Sequence, residues 1–150
     1  MDGMVGTHHR DVLLVIAAGG ALGSLARYGL TLALPYPTGG FAGATLTANV
    51  VGCLLIGILT ELLTRRAGAH RLVRPFLGIG VLGGFTTLST YVLNTLDTAA
   101  AGRPVLAVVY AVGSVAASLA AVVAGTLVTR AVLRPRPGRD GGGERDAEEL

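Results

Sequence analysis

Gly83-Gly84-Phe85-Thr86-Thr87-Leu88-Ser89-Thr90-Tyr91-Val92-Leu93-Asn94 falls in the middle of a stretch otherwise apolar enough to cross a bilayer. Two glycines followed by a run of hydroxyl residues weaken a helix where lipid demands an unbroken one. Backbone polar groups released at membrane depth have to be satisfied by protein, water or an ion. The segment therefore predicts a broken span where something polar is bound or passed.

Three further apolar stretches flank it. The first runs from about Val12 to Leu34, the second from about Phe41 to Leu63 and the fourth from about Val105 to Leu133; the interrupted third covers about Val73 to Leu96. Each reaches the roughly 20 apolar residues that a spanning helix needs. The predicted fold is an all-α integral membrane domain of four helices over residues 11–133. It follows a short N-terminal segment, 1–10, and precedes a tail, 134–150. The tail holds two prolines and four glycines among mixed charges, too little apolar surface to order itself.

Composition agrees. Hydrophobic residues make up 51% of the 150-residue chain and charged residues only 14%, against about 25% charged in a soluble domain. Mean hydropathy is +0.64. The 23 glycines, placed inside apolar runs, suit close helix contact in lipid. The first apolar run follows Arg10 but is too long for a cleavable signal segment, so it reads as a retained span. Cys53 is the single cysteine, which excludes a disulfide or zinc framework within one chain.

All 12 basic residues are arginines, and their placement sets topology, not nucleic-acid binding. With four spans, both termini and the loop between the second and third spans share one side. That side carries Arg10, Arg65, Arg66, Arg71, Arg74, Arg130, Arg134, Arg136, Arg139 and Arg145, and the other only Arg103. The positive-inside rule puts the arginine-rich side, with both termini, in the cytoplasm.

Polar residues inside the spans are the candidate functional groups. Arg27 shares a face with Gly19, Gly20, Gly23 and Ser24, suited to packing against protein. It either snorkels or ties a helix end to a carbonyl, a structural role. Asn49 sits near the centre of the second span; its amide serves an interhelical hydrogen bond or a transported ion. Gly83, Thr87, Thr90 and Asn94 share a face of the third span. In the fourth, Gly113, Ala117, Ala121 and Gly125 form a packing stripe. Tyr110, Ser114 and Ser118 form a second stripe, with Ser118 assigned to packing. No carboxylate lies deep in a span, which argues against a proton-coupled cation exporter. No nucleophile–base pair or metal-ligand cluster is present, so the chain is not read as an enzyme.

Three segments carry a resemblance: Gly19-Gly20-Ala21-Leu22-Gly23-Ser24-Leu25-Ala26-Arg27-Tyr28, Ala44-Thr45-Leu46-Thr47-Ala48-Asn49-Val50-Val51-Gly52, and Gly83-Gly84-Phe85-Thr86-Thr87-Leu88-Ser89-Thr90-Tyr91. Over about residues 11–130 the chain resembles the CrcB/Fluc fluoride channels of prokaryotes. The resemblance implies a fluoride-selective channel subunit for passive fluoride export. It implies a dimer of antiparallel subunits in the inner membrane, with narrow pores at their interface. It also implies a structural sodium ion, not transported, on the backbone carbonyls matching Gly83 and Thr86. The implied anion pathway comprises Asn49, Ser89, Thr90, Tyr110 and the positions of Leu88 and Tyr91; Ser114 and Arg27 are structural polar residues.

The family places phenylalanine where this chain has Leu88 and Tyr91. Together with the one-sided arginines, this leads to the expectation of a heterodimer. A homologous subunit of opposite orientation would complete the aromatic lining. The alternatives are a pore-deficient scaffold subunit and a four-helix drug exporter.

Overall fold

The computed structural model describes residues 3–37, 39–65 and 70–134. It is helical throughout: α1 (Gly3–Ala33), α2 (Gly43–Arg65), α3 (Arg74–Leu82 continued by Gly83–Phe85), α4 (Ser89–Ala100) and α5 (Pro104–Val132). With α3 and α4 as halves of one crossing, four spans among the described residues are long and apolar enough for a membrane, Arg10–Ala33, Gly43–Arg65, Arg74–Ala100 and Pro104–Val132. The 23 residues of α2 extend about 34 Å at 1.5 Å per residue, enough for a hydrocarbon core of about 30 Å.

Span limits agree with the sequence reading to within a few residues. The helix itself begins at Gly3, ahead of the spanning stretch that starts at Arg10. The disordered tail expected from residue 134 falls almost wholly on residues 135–150, outside those described.

α2 packs chiefly on α5, and α1 chiefly on α3; α4 leans on α5, and α1 has no contact with α4 or α5 among the described residues. The interior is made of small side chains. Ala42, Ala44, Ala48, Ala107 and Ala121 are buried, while Leu14, Leu25, Val105 and Val112 point outward. In lipid this distribution costs nothing, because large apolar side chains are at home against acyl chains. Glycine makes the closest approach possible. A Cβ on Gly57 would lie 2.3 Å from the Val122 carbonyl oxygen, and one on Gly125 would lie 2.3 Å from that of Leu54.

Connections follow local chemistry. α4 ends in a Schellman arrangement, with Arg103 N–H on the Thr98 carbonyl at 3.3 Å and Gly102 N–H on that of Ala99 at 3.1 Å. Gly102 takes φ +76°, the left-handed state that glycine adopts most readily, and Pro104 then opens α5. At the arginine-rich end, buried Glu61 of α2 accepts from Arg65 at 2.6 Å and from Arg130 of α5 at 3.1 Å. Asp11 meets Arg71 at 3.4 Å, tying α1 to the segment before α3. Arg74–Leu82 is wound as a nine-residue π-helix, a rare form met mostly as single-turn bulges at functional sites.

Candidate functional site at the break of the third span

Helical geometry stops after Phe85. Thr86 is extended, with φ −81° and ψ 156°, and helix resumes at Ser89. Thr86 turns both its N–H and its hydroxyl back to the Leu82 carbonyl, each at 3.0 Å. The Gly84 carbonyl accepts from Arg27 Nε at 3.2 Å and from the Ser24 hydroxyl at 3.5 Å. Arg27 therefore holds a freed backbone oxygen, the second of the two structural roles considered for it.

Asn49 serves the other side of the gap. Its Nδ2 donates to the Thr87 carbonyl at 2.9 Å, and its Oδ1 accepts the Thr87 N–H at 2.8 Å. In a continuous helix that N–H would go to the carbonyl of Gly83. The two bonds also fix which end of the amide is oxygen. One N–H of Asn49 is left over. α2 approaches the break closely because Gly52 has no side chain: a Cβ there would lie 2.3 Å from Thr86 Cγ2.

A hydroxyl cluster starts α4. Thr87 Oγ1 accepts the Thr90 N–H at 3.2 Å, in the manner of an N-cap, and donates to Thr90 Oγ1 at 3.1 Å. The Ser89 hydroxyl lies 3.3 Å from the same oxygen. Thr90 accepts in this arrangement, so its own hydroxyl hydrogen is available. Beside the cluster lies a cavity of about 250 Å³ between α2, the break and α5; Asn49, Thr87, Leu88, Tyr91 and Ser114 line it, together with Cys53 and Ser118. Leu88 is 75% exposed at the rim. Tyr91 turns its hydroxyl away to the Ala111 carbonyl at 3.0 Å and gives the cavity its ring.

A second polar cluster lies one helical turn nearer the α1–α2 connection. Buried Asn94 donates to Thr45 Oγ1 at 2.8 Å and accepts from the Tyr36 hydroxyl. Thr98 donates to the Asn94 carbonyl at 2.7 Å and lies 3.4 Å from that of Gly40. The hydroxyls of Tyr110 and Ser114 are buried with no hydrogen-bond partner among the described residues. Tyr110 also packs against Tyr91, centroids 5.8 Å apart, and edge-on against Phe41 at 5.6 Å.

Along the predicted Thr87–Thr90–Asn94 face, Thr87 bonds to Asn49 and Thr90 bonds to Thr87, while Asn94, one turn further on, joins Thr45 and Tyr36. Ser118, read from sequence as packing, lines the cavity. Cys53 belongs there for a reason visible in the sequence, four residues after Asn49. Thr45 stands four residues before Asn49, in the same register. Ile56 and Thr60 extend this α2 face to a second, apolar groove of about 330 Å³, closed on its far side by Arg74, Pro75, Gly78 and Ile79.

A helical chain with four spans and an interrupted third crossing is a small multi-pass membrane protein. It belongs to the family described as CrcB-like protein, Camphor Resistance (CrcB), whose model matches residues 14–126. The chain is 46% identical to the fluoride-specific ion channel FluC 2 of Thermobifida fusca over 130 residues, covering 83% of this chain and 96% of the relative. Identity to the fluoride-specific ion channel FluC of Paracoccus denitrificans is also 46%, over 81% of this chain and 96% of that protein. With FluC 1 of Streptomyces coelicolor it is 44%, over 83% and 81%.

Proposed function

We propose that the chain is one subunit of a fluoride-selective channel through which fluoride leaves the cytoplasm down its gradient. The cavity at the break, mainly apolar but with Asn49, Thr87, Ser114 and Ser118 in its wall and the Ser89–Thr90 hydroxyls beside it, carries the reading, in a chain whose relatives bear fluoride-channel names. Fluoride is small and tightly hydrated, so a passage has to exchange its water for well-placed donors. The spare N–H of Asn49 and the hydroxyls of Ser89, Thr90, Ser114 and Tyr110 provide them. Tyr91 adds a ring edge, the positive part of an aromatic.

Gly83 and Thr86 fit the sodium site that the family resemblance implies. Asn49 takes the Thr87 N–H that would otherwise occupy the Gly83 carbonyl, and the extended Thr86 carries its carbonyl outside the helical ladder. Carbonyl oxygens suit a hard cation, which takes more ligands than these two; a second subunit would supply the remainder. A sodium ion bound there offsets freed backbone dipoles at mid-membrane.

The partner is a homologous subunit inserted the opposite way. Cavity and groove occupy one face of α2, so a reversed partner sets each against the other. The arginines support this topology: the ends carrying Arg10, Arg65, Arg71, Arg74, Arg130 and Arg134 lie together, cytoplasmic in the inner membrane, and such a bias disfavours insertion of one chain in both directions. The exposed Leu88, which brings no aromatic edge, favours a second reading in which this subunit is a scaffold and its partner conducts.

Fluoride efflux from liposomes tests the proposal, with this chain alone and with a homologous partner. Flux from the pair and none from the single chain is expected. Robust flux from the single chain removes the need for a different partner, and absence of fluoride flux from both preparations overturns the channel reading.

A further inference from the structure

The arginine-rich end of the bundle holds a cluster that the channel reading does not use. Glu61, one turn before the end of α2, accepts from Arg65 Nε at 2.6 Å. It also accepts twice from Arg130 of α5, from Nε at 3.3 Å and from Nη2 at 3.1 Å. One carboxylate thus anchors two guanidiniums, and the cluster keeps one net positive charge. A guanidinium carries its N–H donors in a fixed fork. Both terminal amines of Arg65 and the Nη1 of Arg130 have no partner among the described residues. The Glu61 side chain is 9% exposed, whereas those of Arg65 and Arg130 are 33% and 53% exposed. The acid is the buried anchor and the arginines face outward.

Their position selects a partner. Arg65 closes the span Gly43–Arg65, and Arg130 stands just inside the end of Pro104–Val132, the depth at which a spanning helix meets the headgroup layer. By helical spacing Glu61 and Arg65 lie about 120° and 160° round α2 from Asn49, so the cluster is turned away from the cavity and groove that face the second subunit. Inward from Arg130, Leu127 and Val123 share its face of α5 and are exposed. An arginine fork, the chemistry that recognises phosphate, therefore sits at the head of an apolar strip.

We propose that the Glu61–Arg65–Arg130 cluster binds the phosphate of an anionic phospholipid, with an acyl chain along Leu127 and Val123. Arg65 and Arg130 touch the phosphate. Glu61 is a positioning residue: it holds two long side chains in place beforehand, so less freedom is lost when the headgroup arrives. The net charge favours an anionic headgroup over a zwitterionic one, whose cationic end is repelled.

Native mass spectrometry tests this on the full chain in non-ionic detergent, offered phosphatidylglycerol and phosphatidylcholine in equal amounts. Retained phosphatidylglycerol should exceed phosphatidylcholine about fivefold, the preference that one arginine charge confers at a membrane surface. Arg130→Gln cancels the net charge while Arg65 still pairs with Glu61, and should bring the ratio close to one. Arg103→Gln removes the same charge at the opposite end and should leave the ratio unchanged. Equal retention by the native chain overturns the proposal. A ratio that survives Arg130→Gln, or that Arg74→Gln abolishes as fully, also overturns it, because the preference then belongs to diffuse charge. Thermal protection by inorganic phosphate alone, without preference between the lipids, gives the cluster to a free anion and overturns the lipid. If Arg130→Gln does not fold, the combined Glu61→Gln, Arg65→Gln, Arg130→Gln chain leaves no carboxylate unpaired and is read in the same way.

Discussion

Asn49 and Thr87 exchange two hydrogen bonds, amide to carbonyl at 2.9 Å and N–H to amide oxygen at 2.8 Å, across the gap between two helices. One side chain thereby replaces the backbone partners that the missing turn would have supplied. Such replacement is what allows a helix to be broken at membrane depth.

Asn49→Ala is expected to act on both fold and passage. It strands the part-buried N–H and carbonyl of Thr87, at up to about 1–3 kcal/mol each, and removes the spare donor. Thermal unfolding should fall clearly and fluoride efflux by more than about tenfold, since 1.4 kcal/mol already corresponds to that factor. Asn49→Asp keeps the acceptor for Thr87 but not the donor, and should unfold between the two. Efflux that survives Asn49→Ala removes this amide from the pathway.

Arg27 holds the Gly84 carbonyl from α1. Arg27→Ala should lower stability by about 1.5–3 kcal/mol, the usual worth of a hydrogen bond to a charged group. Arg27→Lys should recover only part of it, because an ammonium lacks the fixed fork of the guanidinium. Chemical or thermal unfolding in detergent is the measurement; wild-type stability of Arg27→Ala would show that the contact contributes nothing.

Leu88→Phe tests the conducting against the scaffold reading. Position 88 rims the cavity and is open to a partner. A phenyl edge there adds a positive-edged group. A large gain in fluoride flux favours a native chain that is mainly scaffold. Flux unchanged from a robust native level favours a passage served by the remaining donors.

Exchanging sodium for potassium should lower the unfolding temperature if carbonyls of Gly83 and Thr86 hold sodium. Ligand-linked stability grows with the ratio of ion concentration to dissociation constant, reaching about 2.7 kcal/mol at a hundredfold excess. Equal unfolding curves in the two salts would argue against the site.

The sequence disclosed the spans well because hydropathy and length leave little choice in lipid. The break was legible too, since Gly83, Gly84 and the following hydroxyls contradict the apolar surroundings. Destinations of side chains were not. Nothing in the chain order shows that the Asn49 amide would be spent largely on Thr87, or that Tyr91 would send its hydroxyl to Ala111. Those bonds depend on how α2 and α5 approach the third crossing. Thr90 and Asn94 share a face of α4 as their spacing predicts, but nothing in the spacing tells that Thr45 and Tyr36 are the partners of the Asn94 amide. Cys53 joins the cavity lining as its four-residue offset from Asn49 leads one to expect. The π winding of Arg74–Leu82 has no sequence signature that we can name.

The alanine-lined interior reverses the usual mutational arithmetic. In a water-soluble protein, trimming a buried leucine does the greatest harm. Here Ala44, Ala48, Ala107 and Ala121 occupy the seams between helices, and bulky residues clothe the outside. Adding two methyl groups at a seam forces helices apart, whereas paring a leucine from the lipid-facing surface leaves the seams untouched. The protein should thus tolerate erosion of its exterior and resist any thickening of its centre.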